Sequence, residues 1–115
     1  MGLLERAIAS TNSASTNTAF LKKANVLINN FHKKNPLFHL IIFQGNIQNI
    51  EVMTAEHGSV CVNLPEKKYL VMLPGNLDRE LFAHRLSKST GCEVLFQSDA
   101  NSPSLAIGML APYLR

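Results

Sequence analysis

The chain has 115 residues, 46% hydrophobic and 17% charged, with a formal net charge of +3. That length suits one domain able to bury its own core, and the composition is that of a soluble globular protein slightly poor in charge. The longest strongly apolar stretch, Leu40–Phe43, falls far short of the roughly 18 residues a membrane span requires. The basic residues Lys22, Lys23, Lys33, Lys34, Lys67 and Lys68 form scattered pairs without interleaved aromatics, which argues against specific nucleic-acid binding.

Residues 2–9 predict a short helix through Leu3, Leu4, Ala7 and Ile8. Glu5 and Arg6 stand where a secretory signal needs its apolar centre. Arg6 also occupies the position where myristoylation at Gly2 wants Ser or Thr. The expected compartment is therefore the cytoplasm. The run ASTNSASTNT at residues 9–18 reads as a linker, so residues 1–16 are expected as an N-terminal arm and 17–115 as one domain.

A helix is predicted from about Thr18 to Lys33, with Asn17 as its cap and one stripe of Phe20, Leu21, Ala24, Leu27, Ile28 and Phe31. Next, HLIIFQ-GN-IQNIEVM predicts a β-hairpin turning at Gly45-Asn46, its first arm central and its second at an edge. Ser59–Leu64 and Lys67–Leu73 read as two further strands able to pair with each other. Pro74-Gly75-Asn76 is then a tight turn into a helix capped by Asn76 and closed by Gly91. Its buried stripe is expected to be Leu77, Leu81, Phe82 and Leu86 over Val71 and Leu73. Cys92–Gln97 gives another strand. Ser102-Pro103 favours a helix start over a strand for the tail, because proline's missing amide costs nothing at the first helical position.

Candidate sites are few. Cys61 and Cys92 have no CxxC spacing and read as small buried hydrophobes. His32, His39, His57 and His84 form no zinc spacing, and Cys92 beside Glu93 lacks an activating base. The turn before the second long helix could hold an anion on its free amides, which nominates Gly75, Asn76 and Leu77 as ligand-binding residues. No catalytic residue, metal or cofactor is expected.

Tyr69–Ser89, with its LVMLPG strand leading into a helix, resembles the strand-turn-helix of the catalytic palm of GGDEF-type diguanylate cyclases. HLIIFQGNIQ is similar to the family's first strand and SLAIGML, Ser104–Leu110, to a later one. The resemblance implies a ferredoxin-like palm without the family's chemistry. Pro65-Glu66-Lys67-Lys68-Tyr69 stands in place of the Gly-Gly-Asp-Glu-Phe turn. Gln44 and Asn46 stand in place of the metal-binding aspartates, and amides cannot supply the charge that holds magnesium on a triphosphate.

The expected fold is α+β, a single domain with a four- to five-stranded mixed or mainly antiparallel sheet and two or three helices packed on one face. A ferredoxin-like or palm arrangement and a profilin- or GAF-like sheet both fit. Helices on one face would leave Ile50, Val52, Val60 or Val62 uncovered on the other, where a second copy or a protein partner would sit. The expected function is a non-enzymatic regulatory or protein-interaction domain forming a homodimer. The alternative is a small-ligand or nucleotide-sensing domain derived from a degenerate cyclase palm.

Overall fold

Five apolar residues of the first strand decide the architecture. In FHLIIFQ, Phe38, Leu40, Ile41, Ile42 and Phe43 are all at most 1% exposed, so this strand is apolar toward both faces of its sheet and needs cover on both. The computed structural model describes residues 3–46 and 58–114, with side chains from residue 19 onward. In chain order the elements are α1 (Leu3–Lys34), β1 (Phe38–Gln44), β2 (Val60–Leu64), β3 (Lys68–Pro74), α2 (Arg79–Thr90), β4 (Glu93–Ala100) and α3 (Pro103–Leu110), closed by a 3-10 turn at Ala111–Leu114.

Among the described residues the strands form one antiparallel sheet in the order β2-β3-β1-β4. β1 therefore runs parallel to β2, and β3 to β4, with one strand interposed in each case. These are the directions and order of a split β-α-β, ferredoxin-like sheet, the first of the two arrangements weighed above. The α+β class and the antiparallel sheet are as expected.

The helices do not share one face. α1 and α3 cover Phe38, Leu40, Ile42, Val62, Leu70 and Met72, burying Ala24, Ile28, Phe31, Ala106 and Leu110 between the layers. α2 covers the opposite face, placing Ala83 and Leu86 on Ile41, Phe43, Val71 and Leu73. Val62, expected on an uncovered face, is thus 1% exposed beneath α1; Val60 is half-buried against the same core. Ile50 and Val52 lie outside the described residues.

Several expectations are corrected for local reasons. The hairpin at Gly45-Asn46 does not form, because β3 and β4 occupy both edges of β1 along its whole length; its second arm lies outside the described residues. Gly45 is instead a close approach at φ 142, where an added Cβ would stand 3.0 Å from Cys92 Sγ. Its amide donates to the Lys67 carbonyl at 3.0 Å. The run at residues 9–18 lies inside the continuous 32-residue α1, so Asn17 caps nothing. No Gly or Pro interrupts the chain there, and Ser, Thr and Asn each cost a helix only tenths of a kcal/mol, on the order of 0.5. SLAIGML is helical, with the Ser102 hydroxyl accepting from Leu105 N as the Ser-Pro start implied; that part of the palm resemblance does not extend to a strand.

A bulge in β4 sets its two-sided packing. Ile42 pairs with Phe96 but Phe43 pairs with Val94, leaving Leu95 as the extra residue. Phe96 consequently packs toward α1 and α3, its ring 5.9 Å from Tyr113, while Val94 joins the α2 core.

The buried side of α2 also differs from the predicted stripe. Leu81 is 45% exposed, and Ala83 takes its place in the core. Five residues from Leu86, Leu81 points about 140° away around the helix. Leu86→Ala should lower the stability to chemical denaturation by about 2–5 kcal/mol, whereas Leu81→Ala should change it by less than about 1 kcal/mol. Equal losses would place the buried face of α2 elsewhere.

Candidate interaction groove and the polar clamp beside it

α2 begins two residues later than Asn76 would have started it. Asp78 is the cap, in extended conformation (φ −79, ψ 105), its carboxylate accepting from Leu81 N at 3.1 Å. Gly91 closes the helix as expected, at φ 74, its amide donating to the Ser87 carbonyl at 2.8 Å. The three residues nominated as an anion site fall in the turn before the helix. Leu77 N donates to the Pro74 carbonyl at 3.1 Å, and the Asp78 carboxylate already occupies the helix start. An anion there would meet a negative charge. Gly75 answers to sterics instead: a Cβ would lie 2.6 Å from the Leu37 carbonyl oxygen.

A polar clamp fastens this turn to the sheet. His39 on β1 faces Asp99 on β4 in direct register, with His39 Nδ1 2.6 Å from Asp99 Oδ1. The other ring nitrogen, Nε2, lies 2.8 Å from the Leu77 carbonyl. Carboxylate and carbonyl oxygens are both acceptors, so each ring nitrogen of His39 faces an acceptor. Arg79, the first residue of α2, donates from Nη1 to Asp99 Oδ1 at 2.6 Å and from Nε to Gln97 Oε1 at 3.2 Å. β1, β4 and the start of α2 are thereby tied at one point. The hydrogen bond from His39 holds the Asp99 carboxyl below its ordinary value; slight burial opposes this, and the Arg79 charge adds to it.

Sequence reasoning noted His39 only among the four histidines and missed the cluster. The sequence separation of 60 between His39 and Asp99 hides the contact. Its usable signal was a lone histidine in an otherwise apolar central strand, which demands polar partners.

Beside α2 runs an open groove of about 510 Å³ that reaches from the exposed Leu81 to the buried Leu86. Its apolar floor is Leu77, Leu81, Phe82 and Leu86; Asp78 stands at one end, Arg85 and Lys88 toward the other, with His84 and Ser89 on the rim. Among the described residues Arg85 and Lys88 form no ion pair. The volume is within the range of small-ligand pockets. Among the described residues the polar lining of the groove is Asp78, His84, Arg85, Lys88 and Ser89.

The β2–β3 hairpin turn occupies the place the palm resemblance assigns to the family's signature. Glu66 and Lys67 both take positive φ, 59 and 58, and Lys68 N donates to the Pro65 carbonyl at 3.3 Å. This is the primed turn whose backbone twist matches a hairpin, built here without glycine. Lys68 Nζ lies 3.5 Å from Glu66 Oε2. Among the described residues no three His, Cys, Asp or Glu side chains gather where they could hold a metal, and no helix is long and apolar enough to cross a membrane. No protein-family model, curated protein or solved structure matches the chain.

The lowered Asp99 value fixes the sign of one pH effect. Stability from a depressed carboxylate is present above its unfolded value, about 3.9, and is lost as pH falls through the lower folded value. Thermal midpoints should therefore drop as pH is taken below that range, and Asp99→Asn should flatten this drop while lowering the midpoint at neutral pH. An unchanged acid limb in Asp99→Asn would show that the clamp contributes nothing. Gly75→Ala should also lower the midpoint, since the Leu37 backbone must move; a wild-type midpoint would show that the turn yields freely.

Proposed function

We propose that the chain is a non-catalytic regulatory or protein-interaction domain that self-associates. The observation that supports this reading is the outer side of α2, where Leu81 stays 45% exposed beside an apolar groove flanked by Arg85 and Lys88, which form no ion pair among the described residues. A capped and clamped helix that keeps a large aliphatic residue in solvent beside a groove is suited to a docking role. The polar cluster around His39 is engaged in fastening elements together, with both imidazole nitrogens bonded to the protein. Sedimentation velocity from about 1 μM to about 1 mM should show a rising dimer fraction. A strict monomer throughout would remove the self-association.

A second reading, a small-ligand or nucleotide-sensing domain derived from a degenerate cyclase palm, is favoured by the groove's reach to Leu77 and Asp78 and by its two cations. The ferredoxin-like strand order is compatible with such a descent. A thermal-shift screen with nucleotides and cyclic dinucleotides should then raise the midpoint for at least one compound. A flat response removes this reading.

A further inference from the structure

The groove carries charge of opposite sign at its two ends, and this asymmetry selects its occupant. Asp78 lies at the start of α2 and Arg85 seven residues on, about 10 Å along the helix, with Lys88 one turn further. Between them stand Leu81 and Phe82. We propose that the occupant is the same helix of a second copy of this chain, packed antiparallel about a two-fold axis beside Leu81 and Phe82.

That arrangement sets each Asp78 opposite the other copy's Arg85 and presses the two exposed Leu81 side chains together at the centre. It also opposes the two helix dipoles favourably. A parallel arrangement would stack Asp78 on Asp78 and Arg85 on Arg85, placing like charges together. A purely acidic peptide would satisfy Arg85 and Lys88 but meet Asp78 at the other end. Only a partner with the reversed charge order fits both ends, and the antiparallel copy supplies it, as an isologous contact must.

The Asp78 side chain can serve both roles, since a carboxylate has acceptor capacity beyond its bond from Leu81 N. The 12-residue helix offers only about 18 Å of contact length, so the interface is small and its affinity micromolar or weaker.

This inference rests on the self-association reading above, and its test separates the two. In the full chain, Leu81→Cys and Leu105→Cys place a thiol at equally exposed positions, both 45% in the parent residue, on opposite faces of the sheet. Under mild oxidation at high concentration Leu81→Cys should yield a disulfide-linked dimer as the main product, with Leu105→Cys remaining largely monomeric. Leu81→Asp should keep its circular dichroism and cooperative unfolding yet weaken the dimer at least about tenfold, the order expected for a central buried anchor. Asp78→Asn preserves a good cap while weakening the dimer several-fold and reducing its salt dependence.

Cross-linking of Leu81→Cys no faster than Leu105→Cys overturns the inference, as does unfolding of Leu81→Asp. A wild-type dimer unaffected by Leu81→Asp overturns this surface and leaves self-association standing. A wild-type monomer at every concentration overturns both.

Discussion

The structure depends on β1 being buried on both faces and hydrogen-bonded along both edges. Alternate residues of a strand point to opposite faces, so Leu40 and Ile42 belong to the core under α1 and α3, while Ile41 and Phe43 belong to the core under α2. β1 thereby joins the two apolar layers, as β3 beside it does through Leu70 and Met72 on one face and Val71 and Leu73 on the other. The same constraint accounts for the ladder with β3 on one side and β4 on the other, since an exposed edge would leave backbone groups of a buried strand without partners.

Most elements were legible because their signals are local. Ser102-Pro103 for the start of α3, Gly91 for the end of α2 and the apolar run of β1 each act within a few residues. The failures arose where one local signal served two structures. Gly45 was correctly marked as an unusual backbone position, but the requirement was room for Cys92, 47 residues away, rather than a hairpin. Asn76 and Asp78 are both good caps, and the choice fell to the second because the Pro74–Leu77 turn consumes the residues before it. The division of the helices between faces was implicit in the unbroken apolar run of β1, which a sheet with one open face would not need.

The candidate site was less legible for the same reason. His39 is the one polar interruption between Phe38 and Phe43, and a strand buried on both faces accepts such a residue only with partners at hand. Those partners come from β4 and from the turn before α2, which adjoin β1 only through sheet order and register. The clamp is therefore a product of topology. Its mechanical consequence is local: Arg79 and Leu77, the residues bound to it, bracket the Asp78 cap, so the start of α2 is held by a side-chain cap and by the sheet together.

This double fastening bears on the outer side of α2. A surface helix held only by its buried face could roll to cover an exposed leucine at modest cost, because few contacts resist rotation. Here Ala83 and Leu86 fix the inner face, and the clamp fixes the rotation at the N-terminal end, so Leu81 cannot turn inward without breaking charge-assisted hydrogen bonds at Asp99. Ala83 reinforces the effect, since a small residue at the contact brings the helix close to the sheet and leaves no space there for a larger one. The exposed position of Leu81 is thus imposed by the packing and polar chemistry around it. A groove whose walls are held in this way presents a preformed surface, and binding to it needs little reordering of the helix.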